Sequence, residues 1–274
     1  MEDSKAASDV AKKAFAELRR RGFRPDTFSV NRMLVALLRA RAFDEAKSQV
    51  LDVHQNLLDK HSWTIYGKFL VEANRPDEAI GIYKGFRKDP STLAKLKPDV
   101  AFFNVYLSAC AKGAKLEMAK KIRKDMEQRQ IWPDQITHHC MMQTLAAAGQ
   151  LDAAEEELQT MEENEKTYKL KTKNKDFVLV TARTYNTLID ASTKAADFRR
   201  AKRLLNAMQA KNLEADVFTF NILINGAANM GQYKKAPHDP DVLRRVVFVR
   251  HSFDLAISCL YVCLYIYGCT YIYT

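Results

Sequence analysis

Cysteine is scarce, five in 274 residues, and its spacing builds nothing. Cys110 and Cys140 stand alone, while Cys259, Cys263 and Cys269 crowd the end of the chain. A disulfide framework is excluded, and a reducing compartment is the expectation. The run Cys259-x3-Cys263-x5-Cys269 lacks the paired spacing of a structural zinc site and has no second pair near it. Catalytic constellations are missing as well. His138-His139-Cys140 is a cluster in sequence only, because successive helical residues point in different directions. The chain is therefore read as non-enzymatic, with no cofactor. Acidic excess is absent too: the net charge is +10 and the pI about 9.3, which favours a polyanionic partner.

What the sequence does have is a phase. Ala46, Ala79, Ala119, Ala154, Ala201 and Ala236 each follow Asn31, Thr64, Asn104, His139, Asn186 and Asn221 by fifteen residues. The gaps between successive units are 33, 40, 35, 47 and 35 residues, yet that offset never changes. Twenty-two residues after the same positions stand Val53, Phe86, Met126, Met161 and Met208. Five residues before them stand Asp26, Asp59, Asp99, Asp134, Thr181 and Asp216. One module is used six times, with insertions confined to its connections.

Each module reads as two helices. Phe103, Tyr106, Leu107 and Cys110 share one face of Val100–Lys112, Gly113 stops that helix, and Leu116, Ala119, Ile122 and Met126 share one face of the next. The unit from 182 repeats the pattern with Tyr185, Leu188 and Ile189, then Phe198, Ala201, Leu204, Leu205 and Met208. The invariant Ala marks a close helix crossing. An acid opens several second helices, as in Asp44-Glu45, Asp77-Glu78 and Asp152, at the positive end of the dipole. One such pair cannot bury its own apolar face, so the expected fold is an all-α solenoid of stacked pairs, with twelve helices up to residue 236. Residues 1–26 form the second half of an incomplete repeat, because Ala11 and Leu18 fall on the Ala and Met positions. Repeats follow at 27–59, 60–99, 100–134, 135–181, 182–216 and, truncated, 217–236. Asp89–Lys97 and Glu162–Thr181 are read as lengthened connections, the second a solvated insertion with Lys166, Lys169, Lys171, Lys173 and Lys175.

Which helical repeat this is turns on particular residues. A tetratricopeptide repeat would place glycine at Leu34, Leu107, Met142, Ile189 and Ile224, and only Gly67 complies. Thr184-Tyr185-Asn186-Thr187-Leu188-Ile189-Asp190 and Val217–Gly226 instead resemble the opening helix of pentatricopeptide repeats. Arg24-Pro25-Asp26, Lys97-Pro98-Asp99 and Trp132-Pro133-Asp134 resemble that family's repeat terminus, and the likeness covers residues 1–236. It implies a right-handed solenoid that binds single-stranded RNA, one base per repeat. It further implies that the recurring Asn or Thr and the last residue of the repeat select the base together. An Asn amide offers a donor and an acceptor to the edge of uracil, whereas a Thr hydroxyl with a carboxylate offers acceptors to guanine. On that pattern Asn31 with Asp59 reads U, Thr64 with Asp99 reads G, and Asn104 with Asp134 reads U. His139 with Thr181 departs from the common pairs and is left unassigned. Asn186 with Asp216 reads U, and Asn221 reads a pyrimidine. The aspartates also precede helix starts, where capping alone would explain them.

Two further rows follow from the resemblance. Phe28, His61, Ala101, Ile136, Arg183 and Phe218 lie where the family packs side chains between bases, and Phe28, Arg183 and Phe218 are suited to stacking. Arg39, Lys112 and Lys194 lie where cations could meet phosphates, although a solvated basic face reads the same way. The resemblance also implies a mitochondrial or plastid setting and a role in RNA processing, stabilisation or translation, with an RNA-processing enzyme as a second partner. No targeting segment is visible. The rival readings are a tetratricopeptide-like protein-binding scaffold and a fragment of an RNA-processing enzyme without its catalytic domain. Residues 237–274 break the pattern: Pro237 and Pro240 fall where a helix should continue. Leu255–Tyr273 carries no charge over 19 residues, but its tyrosines and the lack of a far flank argue against a membrane anchor. That tail is read as an aberrant end in place of a longer array.

Overall fold

Aspartate starts most of the opening helices of the repeats. Its side chain accepts a hydrogen bond from the backbone N–H three residues on, satisfying one of the donors a helix leaves open at its N-terminus. Asp26 does this for Ser29, Asp59 for Ser62, Asp99 for Phe102, Asp134 for Thr137 and Asp216 for Thr219, at 2.8–3.0 Å. Ser62 and Thr137 return a bond to the capping residue's own N–H, completing capping boxes.

A computed structural model describes residues 2–51, 57–172 and 177–229. In chain order the helices are α1 (Glu2–Arg20), α2 (Thr27–Arg39), α3 (Phe43–Glu45, continuing as a π turn over Ala46–Leu51), α4 (Lys60–Glu72), α5 (Pro76–Lys88) and α6 (Pro90–Leu96). Then come α7 (Val100–Lys112), α8 (Leu116–Gln128), α9 (Gln135–Ala147), α10 (Leu151–Thr172), α11 (Ala182–Lys194), α12 (Phe198–Ala210) and α13 (Val217–Asn229). No strand occurs among the described residues. The fold is an all-α repeat solenoid.

The chain divides into two compact units, one through Ala191 and one from Ser192. In the first, each opening helix packs on the next opening helix: α2 on α4, α4 on α7, α7 on α9. The second helices α5, α8 and α10 pack behind them on α4 and α7, on α7 and α9, and on α9. The in-phase alanines Ala46, Ala79, Ala119 and Ala154 are all fully buried, as are Met126 and Met161. Tyr83, Phe86, Phe102, Phe103 and Tyr106 form one aromatic core, with Phe102 and Tyr106 ring centroids 4.9 Å apart. Gly67 lets α4 approach α7: a Cβ there would lie 2.8 Å from Val105 Cγ1. In the second unit Ala201, Leu204, Leu205 and Met208 form the buried face of α12. A Cβ on Gly226 of α13 would lie 2.4 Å from Thr193 Cβ.

The turn between the two helices of each repeat has one geometry. Arg41, Asn74, Ala114, Gly149 and Ala196, each ten residues after the Asn/Thr/His position, adopt left-handed φ between 50° and 74°. The next N–H then reaches back five residues, Lys115 to the Cys110 carbonyl at 2.9 Å and likewise in the other four.

Three features differ from the sequence expectation. Asp89–Lys97 is not a plain connection but contains α6, because Asp89 accepts from the N–H groups of Ser91 and Thr92 and Pro90 fits the first helical position. The second helix of repeat 27–59 is α3 and a π turn rather than one α-helix. Residues 162–172 are helix and not loop: they contain no Gly or Pro, and Lys169 pairs with Glu165 at 2.6 Å one turn earlier. Glu165 Oε2 then accepts from the N–H groups of Leu179 and Val180, both at 2.8 Å, so the returning segment is fastened to the extended helix. Val53, Ala236, Lys173, Lys175 and the tail 237–274 lie outside the described residues.

Candidate nucleic-acid interface

The repeat-ending aspartates have a second oxygen to place beyond the cap, and its partner changes from repeat to repeat. Asn104, in the middle of α7, is almost fully buried. Its Nδ2 donates to Asp134 at 2.9 and 3.0 Å, while its Oδ1 lies 2.7 Å from the Thr137 hydroxyl. An ionised carboxylate accepts and cannot donate, so Asp134 fixes which end of the amide faces it. One Nδ2 hydrogen placed between the two carboxylate oxygens can serve both, leaving the amide a second N–H. Asn31 and Asp59 make the same kind of pair. Partial burial pushes the Asp59 carboxyl up, but the Ser62 N–H, the Ser62 hydroxyl and the Asn31 amide outweigh it and leave it below the usual range. Asn31 Oδ1 is buried without a partner among the described residues.

The two repeats that lack Asn at this position behave differently. The Thr64 hydroxyl donates to the Lys60 carbonyl at 2.7 Å, one turn back, and Asp99 is met instead by Lys60 Nζ at 2.6 Å. Burial pushes Asp99 up, yet Lys60 and the Phe102 N–H hold it below its ordinary value. In the fourth repeat Gln135 Nε2 reaches the Thr181 hydroxyl at 3.1 Å. His139 Nδ1 lies 3.2 Å from the Thr187 hydroxyl. Burial and then the nearby Arg183 push its pKa down, so the ring is neutral at pH 7. Asn186 is buried in α11, and Asp216, capping α13, belongs to the other compact unit. Backbone and hydroxyl bonds from Thr219 hold the Asp216 carboxyl low. Asn221 is exposed on α13.

Three residues before each of these positions, Phe28, His61, Ala101, Ile136, Arg183 and Phe218 are all exposed. Phe28 and Phe218 keep more than half of their surface in solvent, 65% and 62%, which a core aromatic would not. The Arg32 guanidinium lies 5.0 Å over the Phe28 ring. Arg39, Lys112 and Lys194 occupy the last turns of α2, α7 and α11 and are exposed. Lys112 is also engaged locally: Nζ donates to the Val71 carbonyl at 2.7 Å, linking α7 to α4. Sequence reasoning missed Lys60, Gln135 and Thr137. Their only signal is position, at the first or third residue of an opening helix, and it becomes readable once the neighbouring repeat is in place.

His138 points the other way from His139. It is fully buried, and its Nδ1 meets Glu157 of α10, which also takes Arg123 of α8 at 3.3 Å. No group of His, Cys, Asp and Glu among the described residues could hold a metal ion, and no described helix is long and apolar enough to cross a membrane.

The sequence pattern of the PPR repeat family matches residues 98–147 and 180–229. Those two stretches of the chain carry repeats of the pentatricopeptide type. Among solved structures it is similar to that of the pentatricopeptide repeat protein PPR10 in complex with an 18-nt psaJ RNA element. The TM-score is 0.69 at 18% identity, over 92% of this chain and 34% of that one. It is also similar to PPR10 from maize, with a TM-score of 0.55 at 21% identity over 89% of this chain and 38% of that one. The chain thus spans about a third of the length of the PPR10 chains it matches, and at these identities the likeness is one of fold. No curated protein matches the chain at a significant level.

Proposed function

We propose that the chain binds single-stranded RNA in register with its repeats, one base to a repeat, without chemistry of its own. The observation that carries this reading is the Asn104–Asp134 couple, a buried amide locked by a capping carboxylate with one donor left over. A donor at that place suits O4 of uracil and not the N4 amino group of cytosine. The same logic assigns U to Asn31 with Asp59 and, from the sequence pattern alone, to Asn186, and G to Thr64 with Asp99. His139 with Thr181 stays unassigned, and Asn221 is given a pyrimidine. The exposed side chains of Phe28, Arg183 and Phe218 supply stacking platforms, and Arg39, Lys112 and Lys194 supply cations for the backbone. That PPR10 was crystallised with an RNA element supports an RNA partner for this chain. Occupying a transcript would shield it, remodel it or guide a processing enzyme to it. The mitochondrial or plastid setting rests on the family resemblance.

The test is Thr64→Asn, which converts the second repeat to the Asn/Asp pair of the third. Binding to RNAs that differ only at the second base should shift from G towards U, by a few-fold to about a hundredfold for a contact of 1–3 kcal/mol. Thermal stability should hold, because Thr64 is only half-buried and its hydroxyl bonds a local carbonyl. A loss of stability with no change in base preference would mean that the residue is structural.

A further inference from the structure

We propose that Lys60, the first residue of α4, is a third base-selecting residue of its repeat and donates to O6 of guanine. The inference rests on the reading of the chain as a binder of single-stranded RNA. It starts from a regularity in the first unit. Where a repeat carries Asn104, that amide itself donates to the last residue of the repeat. In the two repeats with Thr64 and His139 instead, the donor to the last residue comes from the first: Lys60 to Asp99, and Gln135 to Thr181. The other repeats begin with Thr27, Val100, Ala182 and Val217, none of them a long donor, and the Thr27 hydroxyl is turned to the Leu57 carbonyl.

Guanine presents two donors, N1–H and the N2 amino group, beside one acceptor, O6. Thr64 and Asp99 can meet the donors. Neither can meet O6: Asp99 only accepts, and the single Thr64 hydrogen goes to the Lys60 carbonyl. An unmatched O6 desolvated against a carboxylate would make the repeat a poor reader of guanine. The Lys60 ammonium has three hydrogens, of which one serves Asp99. Its side chain is 43% exposed and that of Asp99 47%, so the pair reaches solvent on the side where Thr64, one turn along α4, also lies. An adenine would set its N6 amino group against that ammonium and be rejected. Lys60 thereby turns a purine site into a guanine site.

The experiment uses the full chain and four RNAs that differ only at the second base, with a fifth carrying 6-thioguanine, whose sulfur is a weak acceptor at position 6. Wild type should favour G over A by about tenfold or more and lose several-fold on the thio substitution. Lys60→Met should lose most of its affinity for G, little for A, and become indifferent to the sulfur. Lys60→Gln, which keeps a neutral donor, should recover part of the preference. An equal loss on all four bases would make Lys60 a phosphate contact, and tighter G binding by Lys60→Met would make it a mask over Asp99; either overturns the inference. Should the variants not fold, wild type alone decides, because indifference to 6-thioguanine also overturns it. Wild type that binds no single-stranded RNA refutes the underlying reading instead.

Discussion

Asp134 does two things at once, and separating them is a matter of one atom. Its carboxylate caps α9 and orients the Asn104 amide through the same two oxygens. Asp134→Ser keeps a cap but strips the buried Asn104 amide of its carboxylate, so stability should fall by about 1–3 kcal/mol. A hydroxyl both donates and accepts, so the amide is no longer locked. Discrimination of U over C at the third base should shrink, as binding to RNAs differing only there would show. Much of this site was legible in the sequence, because apolar packing gives no reason for a polar Asn to recur inside helices in step with the Asp that ends each repeat. The exchange of partners at Lys60 and Gln135 was not. Their residue types obey no pattern of their own, and their role depends on a residue 39 or 46 positions away.

At the scale of the element, the alanines that mark helix crossings were readable because only a small side chain fits them. The turns were not, because their left-handed residue is Arg, Asn, Ala, Gly and Ala in successive repeats, and only Asn and Gly favour the conformation. An L-residue pays roughly 1–2 kcal/mol in that region, partly offset by the greater unfolded-state freedom of glycine. Ala114→Gly should therefore raise stability by about 0.5–1 kcal/mol in a denaturant titration without affecting RNA binding. Packing between elements held another surprise in the buried His138 and the partly buried Glu157, nineteen residues apart, with Arg123 on the same carboxylate. Burial pushes the Glu157 carboxyl up, but His138 and Arg123 outweigh it and hold its pKa below the ordinary glutamate value. A lowered carboxyl pKa stabilises the fold above the unfolded-state value, near 4.3, and that contribution is lost as pH falls through the folded-state pKa. Glu157→Gln should cost about 1–3 kcal/mol at pH 7, since it takes the carboxylate from the buried His138 while Arg123 keeps Glu127, and the gap between variant and wild type should narrow in acid melts.

For the whole molecule, the repeat phase survives two insertions because both are absorbed outside the opening helices: α6 stands before α7, and the extension of α10 folds back through Glu165. The opening helices that carry Asn31, Thr64, Asn104 and His139 therefore remain in one stacked row within the first unit. That constant phase is what the proposed binding of one base per repeat requires, and a net charge of +10 suits a polyanion. Selecting bound RNAs from a random pool tests that claim most directly. The account predicts enrichment of single-stranded U-G-U-N-U, 5′ to 3′ along the chain, with short gaps allowed at the insertions. Affinity for the winners should fall with salt at a log–log slope near −0.7 per phosphate contacted. A pool that emerges without base preference, or enriched in a motif lacking the G between two U positions, would contradict it.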